Sequence, residues 1–165
     1  MITVSRAGDA FANAARPTRT SDSGVFGTDN LTNIATPSFT GTAELGNMVT
    51  LFDGGVAVGS AVAGVDKSWT AVANLRSDCV HGIAAQAVDV AGNVSAMSSA
   101  LAVALDTQTP AAPQFAIGSL TQVTGPGEAG SSIVLMDGST AIGGATVGTT
   151  GNWSISFLPA PRNAY

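Results

Sequence analysis

Apolar and polar residues alternate along short stretches of the chain. Val49 and Leu51 point one way, and Met48, Thr50 and Phe52 the other. Trp69, Ala71 and Ala73 share a face; so do Ile83, Ala85 and Ala87, and then Leu101, Val103 and Leu105. Further on, Ile133 and Leu135, then Trp153, Ile155 and Phe157, repeat the pattern. A period of two predicts strands buried on one face. Asp53-Gly54-Gly55 predicts a hairpin turn, with a short strand resuming over residues 56–58 and another beginning at 61–63. Strands recurring about every 8–12 residues describe an antiparallel sandwich, so the predicted class is all-β. Long helical periodicity is absent. Trp69 and Trp153 read as core plugs between thin sheets rich in Ala and Val. Stacking on a sugar is the alternative, and burial preferences weigh against it.

The pattern occurs twice. A constant shift of 84 carries Glu44 onto Glu128, Gly46 onto Gly130, Asp53-Gly54 onto Asp137-Gly138, Gly59 onto Gly143 and Trp69 onto Trp153, with no gap. A repeat of this length is one module used twice. Residues 9–16 align weakly with residues 106–113 at a shift of 97. The change of shift marks a 13-residue segment, residues 21–33, that the second copy lacks. The expected organisation is a degenerate linker or the end of a preceding module over residues 1–20, a first module over 21–106 and an incomplete second over 107–165. A short helix is the alternative for residues 6–19. The second copy stops at the position matching His81, so it lacks counterparts of two core strands, residues 82–89 and 100–105. The favoured reading is that the chain is a fragment; the alternative is that another molecule's strand fills the gap.

Composition narrows the function. Charged residues are 10% of the 165, and the 20 Gly suit short strands with tight turns. A net charge of −5 with 6 basic residues gives nucleic acid no basic footprint. The start has no apolar core behind a basic segment, so an export address would lie elsewhere in a longer parent chain. No apolar run is long enough to span a membrane. Cys79 is the one cysteine, so no intrachain disulfide forms.

The stretches TGTAELGNMVTLFDGGVAVGSA, SWTAVANL and AVDVAGNVSAMSSALAVALDTQTPAAP resemble the bacterial Ig-like repeats of large secreted surface adhesins, the type I-secreted, biofilm-associated proteins. The resemblance implies tandem immunoglobulin-like antiparallel β-sandwiches, the second truncated. It also implies no catalysis, a bacterial cell-surface location, and a spacer or adhesive role. Neighbouring modules, and a host or cell-surface protein or glycan, are the implied partners. The alternative is a carbohydrate- or protein-binding module acting through exposed sheet edges. Cys79 departs from the pattern, standing where the family carries Gly in a turn.

Candidate chemistry is sparse. Cys79 and His81 lie two residues apart, and a nucleophile–base pair would need a third polar partner. His81 reads instead as a turn-to-strand histidine. Zinc ligands and nucleotide-binding glycine motifs are not available in the sequence. The resemblance implies calcium at module junctions, a cation that takes about six to eight oxygen ligands. The candidate ligands are Asp22 and Asp29 in the insertion, Asp89 in DVAGN, and Asp106 in the linker. Asp89 and Asp106 are expected to share an ion at one pole, with Asp22 and Asp29 at the opposite junction. The alternative makes Asp89 the cap of an Asx turn and Asp106 a strand-end residue. Asp53 and Asp137 read as hairpin residues.

Overall fold

The computed structural model describes residues 16–17, 21–24, 27–119 and 121–156. The expectation for Phe157, and the short-helix alternative over residues 6–19 apart from Arg16–Pro17, lie outside them; Arg16–Pro17 form a strand. The chain divides into two compact units, Met1–Gln108 and Thr109–Tyr165. The described residues contain strands and turns and no helix, so none long and apolar enough to cross a membrane.

Unit 1 is a sandwich of two sheets. One sheet holds β1 (Arg16–Pro17), β3 (Ser38–Thr42) and β6 (Ser68–Val72), in the order β1-β3-β6. The other holds β2 (Leu31–Thr32), β4 (Met48–Asp53), β5 (Val56–Val62), β7 (Val80–Val88) and β8 (Leu101–Leu105), in the order β2-β8-β7-β4-β5. The alternating residues meet between the sheets. Val49, Leu51, Ala73, Ile83, Ala85, Ala87 and Phe39 are fully buried, with Trp69, Ala71 and Val103 nearly so. The far edge of β7 is covered by β8 over its first half and by an irregular segment over its second. There the hydroxyls of Ser98 and Ser95 accept from the N–H groups of Ala85 and Ala87, both at 2.9 Å.

Unit 2 repeats the plan. β9 (Ala116–Ser119), β10 (Gln122–Pro126) and β13 (Asn152–Ser156) form one sheet, and β11 (Ser132–Asp137) with β12 (Thr140–Thr146) the other. β10 to β13 start and end 84 residues after β3 to β6, so the repeat holds strand by strand. Ile133, Trp153 and Ile155 are buried as the pattern requires, and Leu135 is partly buried against them. Loop bonds recur as well: Gly46 N–H donates to Ala63 O, and Gly130 N–H to Val147 O, both at 3.0 Å. β2, which lies in the inserted segment, has no counterpart among the described strands of unit 2.

One strand assignment is corrected. Residues 56–58 and 61–63 do not belong to two strands; β5 runs unbroken across Val56–Val62. The β4·β5 register slips between Leu51 and Phe52, which face Gly59 and Ala57, and leaves Val58 over. This bulge interrupts the alternation that would have marked one strand. It recurs in β11·β12 between Leu135 and Met136. The hairpin over Asp53 is as expected: Gly54 and Gly55 have φ of 55° and 88°, the pair of positive angles that a type I′ turn requires.

Lys67 carries a φ of 63°, a left-handed angle unfavourable to a side chain, where the second copy has Gly151 at 74°. Lys67→Gly is therefore expected to stabilise unit 1 by about 0.5–1 kcal/mol, the strain removed exceeding the entropy glycine adds to the unfolded chain. Gly151→Lys should destabilise unit 2 by a similar amount. Urea denaturation midpoints of both variants check this.

Candidate functional site

The inserted loop is held by its own side chains. Asp22 is buried, and its Oδ2 accepts from Asn30 N–H at 3.4 Å. Its Oδ1 is also buried and has no hydrogen-bond partner among the described residues. Asp29 Oδ1 accepts from Leu31 N–H at 3.1 Å, and Asn30 between them has a φ of 62°. Ser23 Oγ donates to Asn33 Oδ1 and accepts from Asn33 N–H. Asx-type bonds of this kind are what Ser, Asp and Asn supply in turns.

Asp89 and Asp106 are engaged in turns of their own. Asp89 Oδ1 accepts from Ala91 and Asn93 N–H and Oδ2 from Asn93 Nδ2, all at 2.8 Å. Bonds from the Asn93 side chain, then its backbone, hold the Asp89 carboxyl below its ordinary pKa. Asp106 Oδ1 accepts from Gln108 N–H at 3.0 Å.

The structure does not bring these two together. β7 and β8 are antiparallel; Asp89 follows the end of β7, whereas Leu105 N–H donates to Cys79 O beside its start. The nine residues of β7 separate them, roughly 25 Å at about 3.3 Å per residue. The expectation of a shared ion at one pole is corrected, because strand direction decides which loops meet. Asp106 falls instead at the end that carries the inserted loop: its N–H donates to Thr32 O, and Ala104 N–H to Asn30 O. Among the described residues no group of three His, Cys, Asp or Glu side chains is arranged to hold a metal ion.

A polar cluster closes that same end of the core. His81 is 5% exposed, with Nδ1 2.7 Å from Asp53 Oδ2 and Nε2 2.9 Å from Ser77 O. Both ring nitrogens face acceptors, so the arrangement suits the doubly protonated ring. Burial works against that charge, but the Asp53 bond, the Ser77 carbonyl and the Asp53 charge outweigh it and raise the His81 pKa. Asp53 Oδ1 also accepts from Gly82 N–H at 3.2 Å. Cys79 Sγ lies 3.6 Å from His81 Nε2 and 3.4 Å from Ser77 Oγ. The third polar partner that a Cys–His pair would need is thus present, as Asp53. Nε2 nevertheless faces the Ser77 carbonyl, to which it donates an N–H, so it holds no free lone pair for a general base. Asp53 has a role beyond its turn. Extending the inward alternation one step, from Leu51 to Asp53 and from Ile83 to His81, was the signal for it.

Asp78 ties down the segment that leaves β8. Its carboxylate accepts from Thr107 Oγ1 at 2.9 and 3.0 Å and from Gln108 Nε2 at 3.0 Å. The Gln108 bond, then that of Thr107, lowers its pKa. Both indoles are buried, Trp69 at 2% and Trp153 at 5% exposed, which leaves no ring face free for stacking on a sugar.

A two-sheet Ig-like sandwich, repeated along the chain and closed by a tryptophan, is the class these features define. Residues 11–107, more than half of the chain, match the bacterial Ig-like domain family, and the chain belongs to it. Among solved structures it is similar to a biofilm-associated protein BSP domain, at 16% identity and a TM-score of 0.33. That match covers 78% of this chain and spans 23% of the other. No match is found among curated proteins.

The raised His81 pKa carries a sign. A folded-state value above the unfolded one contributes stability that is complete below the unfolded histidine value of about 6.5. It is lost as pH rises through the folded value. Unit 1 should therefore melt at a higher temperature near about pH 6 than near about pH 8.5. His81→Gln should flatten that dependence and cost about 1–3 kcal/mol at the lower pH. Calorimetry of both proteins across the range measures it.

Proposed function

We propose that the chain is a non-catalytic spacer and adhesion module of an extracellular bacterial repeat protein. The observation that carries this reading is one sandwich plan used twice, with its strand bounds and bulge repeated 84 residues apart. Family membership supports it. His81 and Asp53 are bonded to one another, and Asp78 and Asp89 are engaged by the outgoing segment and by a turn, which supports a structural role for them. Neighbouring modules are the first partners of such a chain, and the bacterial surface its location.

Calcium at the inserted loop belongs to the same proposal. Asp22 fits a cation best, since its buried Oδ1 has no partner among the described residues and a buried carboxylate oxygen is costly unless paired. Asp22 and Asp29 would hold the ion, whose charge would offset their repulsion and stiffen the loop. Asp89 and Asp106 have their conformations explained by their own turns.

Pulling the chain from both ends by single-molecule force spectroscopy tests the spacer. Unit 1 should yield in one discrete event, releasing on the order of 300 Å of chain at about 3.4 Å per residue. Gradual extension with no discrete event would contradict a load-bearing spacer. In a thermal melt, calcium should raise the midpoint of unit 1 and chelator reverse it, because a ligand bound to the native state alone must stabilise it. Asp22→Asn should remove the response. A midpoint indifferent to calcium and chelator ends the ion proposal and leaves the spacer untouched.

A further inference from the structure

Leu75 follows β6 and is anchored from both sheets. Its N–H donates to Ala35 O, and the preceding Asn74 N–H donates to Val58 O of β5, both at 3.0 Å. The Leu75 side chain is buried. Residues two apart on an extended segment share a side, so Asn74 and Arg76 both turn away from the core, and both are exposed. They line one cavity of about 450 Å³ in unit 1, together with Val56 and Val58 of β5 and the Asp53–His81 pair. That volume falls within the range of small-ligand sites, about 300–1,000 Å³.

Hydrogen-bond accounting selects the ligand. Asp53 is committed: Oδ2 faces His81 Nδ1, and Oδ1 accepts from Gly82 N–H. His81 gives its other nitrogen to Ser77 O. Arg76 differs. Among the described residues its guanidinium has neither ion pair nor hydrogen bond, although Asp53 lines the same cavity and Asp78 is two residues on. The Asn74 amide is likewise uncommitted among them. The uncommitted charge in the cavity is therefore positive, in a chain of net charge −5. A guanidinium presents a planar fork of N–H groups that matches a carboxylate bidentately. The valines beside it form an apolar wall, which favours a ligand that carries hydrocarbon next to its charge.

We propose that this cavity binds a small organic acid, a carboxylate on a short branched apolar stem. Arg76 takes the carboxylate, the Asn74 amide donates a further bond to it, and the stem lies against Val56 and Val58. The inference goes beyond a spacer role, and it is independent of an ion at the inserted loop.

NMR titration of the isotope-labelled full chain tests it, with isovalerate as probe. Amide signals of residues 56–58 and 74–77 should shift and saturate, with a Kd on the order of millimolar. Isovaleramide has the same shape and no charge, and should bind about tenfold more weakly or not at all. This comparison uses the unaltered protein, so it does not depend on the folding of a variant. Arg76→Gln should weaken isovalerate about tenfold, with the amide spectrum elsewhere unchanged. The proposal is overturned if isovalerate at tens of millimolar gives no saturating shift, if isovaleramide binds equally, or if Arg76→Gln keeps full affinity. It is also overturned if sulfate at equal ionic strength reproduces the shifts, since the cavity would then be a general patch of positive potential.

Discussion

An indole seated on a glycine of the facing strand closes each sandwich, and most of the rest depends on it. Trp69 stands opposite Gly41 in the β3·β6 ladder, and Trp153 opposite Gly125 in β10·β13. A Cβ built on Gly41 would run into the ring of Trp69, and one on Gly125 into the Gln114 carbonyl and then the ring of Trp153. Glycine lets the ring fold over the neighbouring strand into the space between the sheets. Around it the core is largely alanine and valine, with small volumes that would not fill the gap alone. The two copies differ in one detail. Trp153 Nε1 donates to Pro126 O at 3.0 Å, while Trp69 Nε1 is buried with no partner among the described residues.

With the centre closed, the polar side chains of unit 1 gather at the ends. Asp53 and His81 seal one end where the apolar alternation runs out, exchanging a hydrophobic pair for a hydrogen-bonded polar one. The same end carries the inserted loop with Asp22 and the Asp78 contacts to Thr107 and Gln108. Loops that would otherwise swing are tied to the sandwich by carboxylates accepting local N–H and hydroxyl groups. A body tied in this way would pass tension from strand to strand, as the proposed spacer role requires.

Much of this was readable in the sequence, and the reason is the period of two. Val49, Leu51, Trp69, Ile83, Ala85 and Ala87 fell on the inner face because alternate residues of a strand must share a side. The shift of 84 gave the second copy without further reasoning. What escaped notice was three-dimensional. The bulge at Leu51 hid the continuity of β5, since one extra residue breaks the alternation. Asp89 and Asp106 were assigned to one pole because order along the chain does not give strand direction. Asp53 was read as a turn residue, although its partner His81 lies one step beyond Ile83 on the neighbouring strand.

A double-mutant cycle on Gly41→Ala and Trp69→Ala, followed by urea denaturation, tests the closure most directly. Trp69→Ala should cost about 3–5 kcal/mol and Gly41→Ala about 1–3 kcal/mol. If the ring resting on the glycine closes the sandwich, the cost of the alanine at 41 should vanish once the ring is gone, giving strong coupling between the two sites. Additive losses would mean that Trp69 and Gly41 act independently, and the account of how the module closes would be wrong.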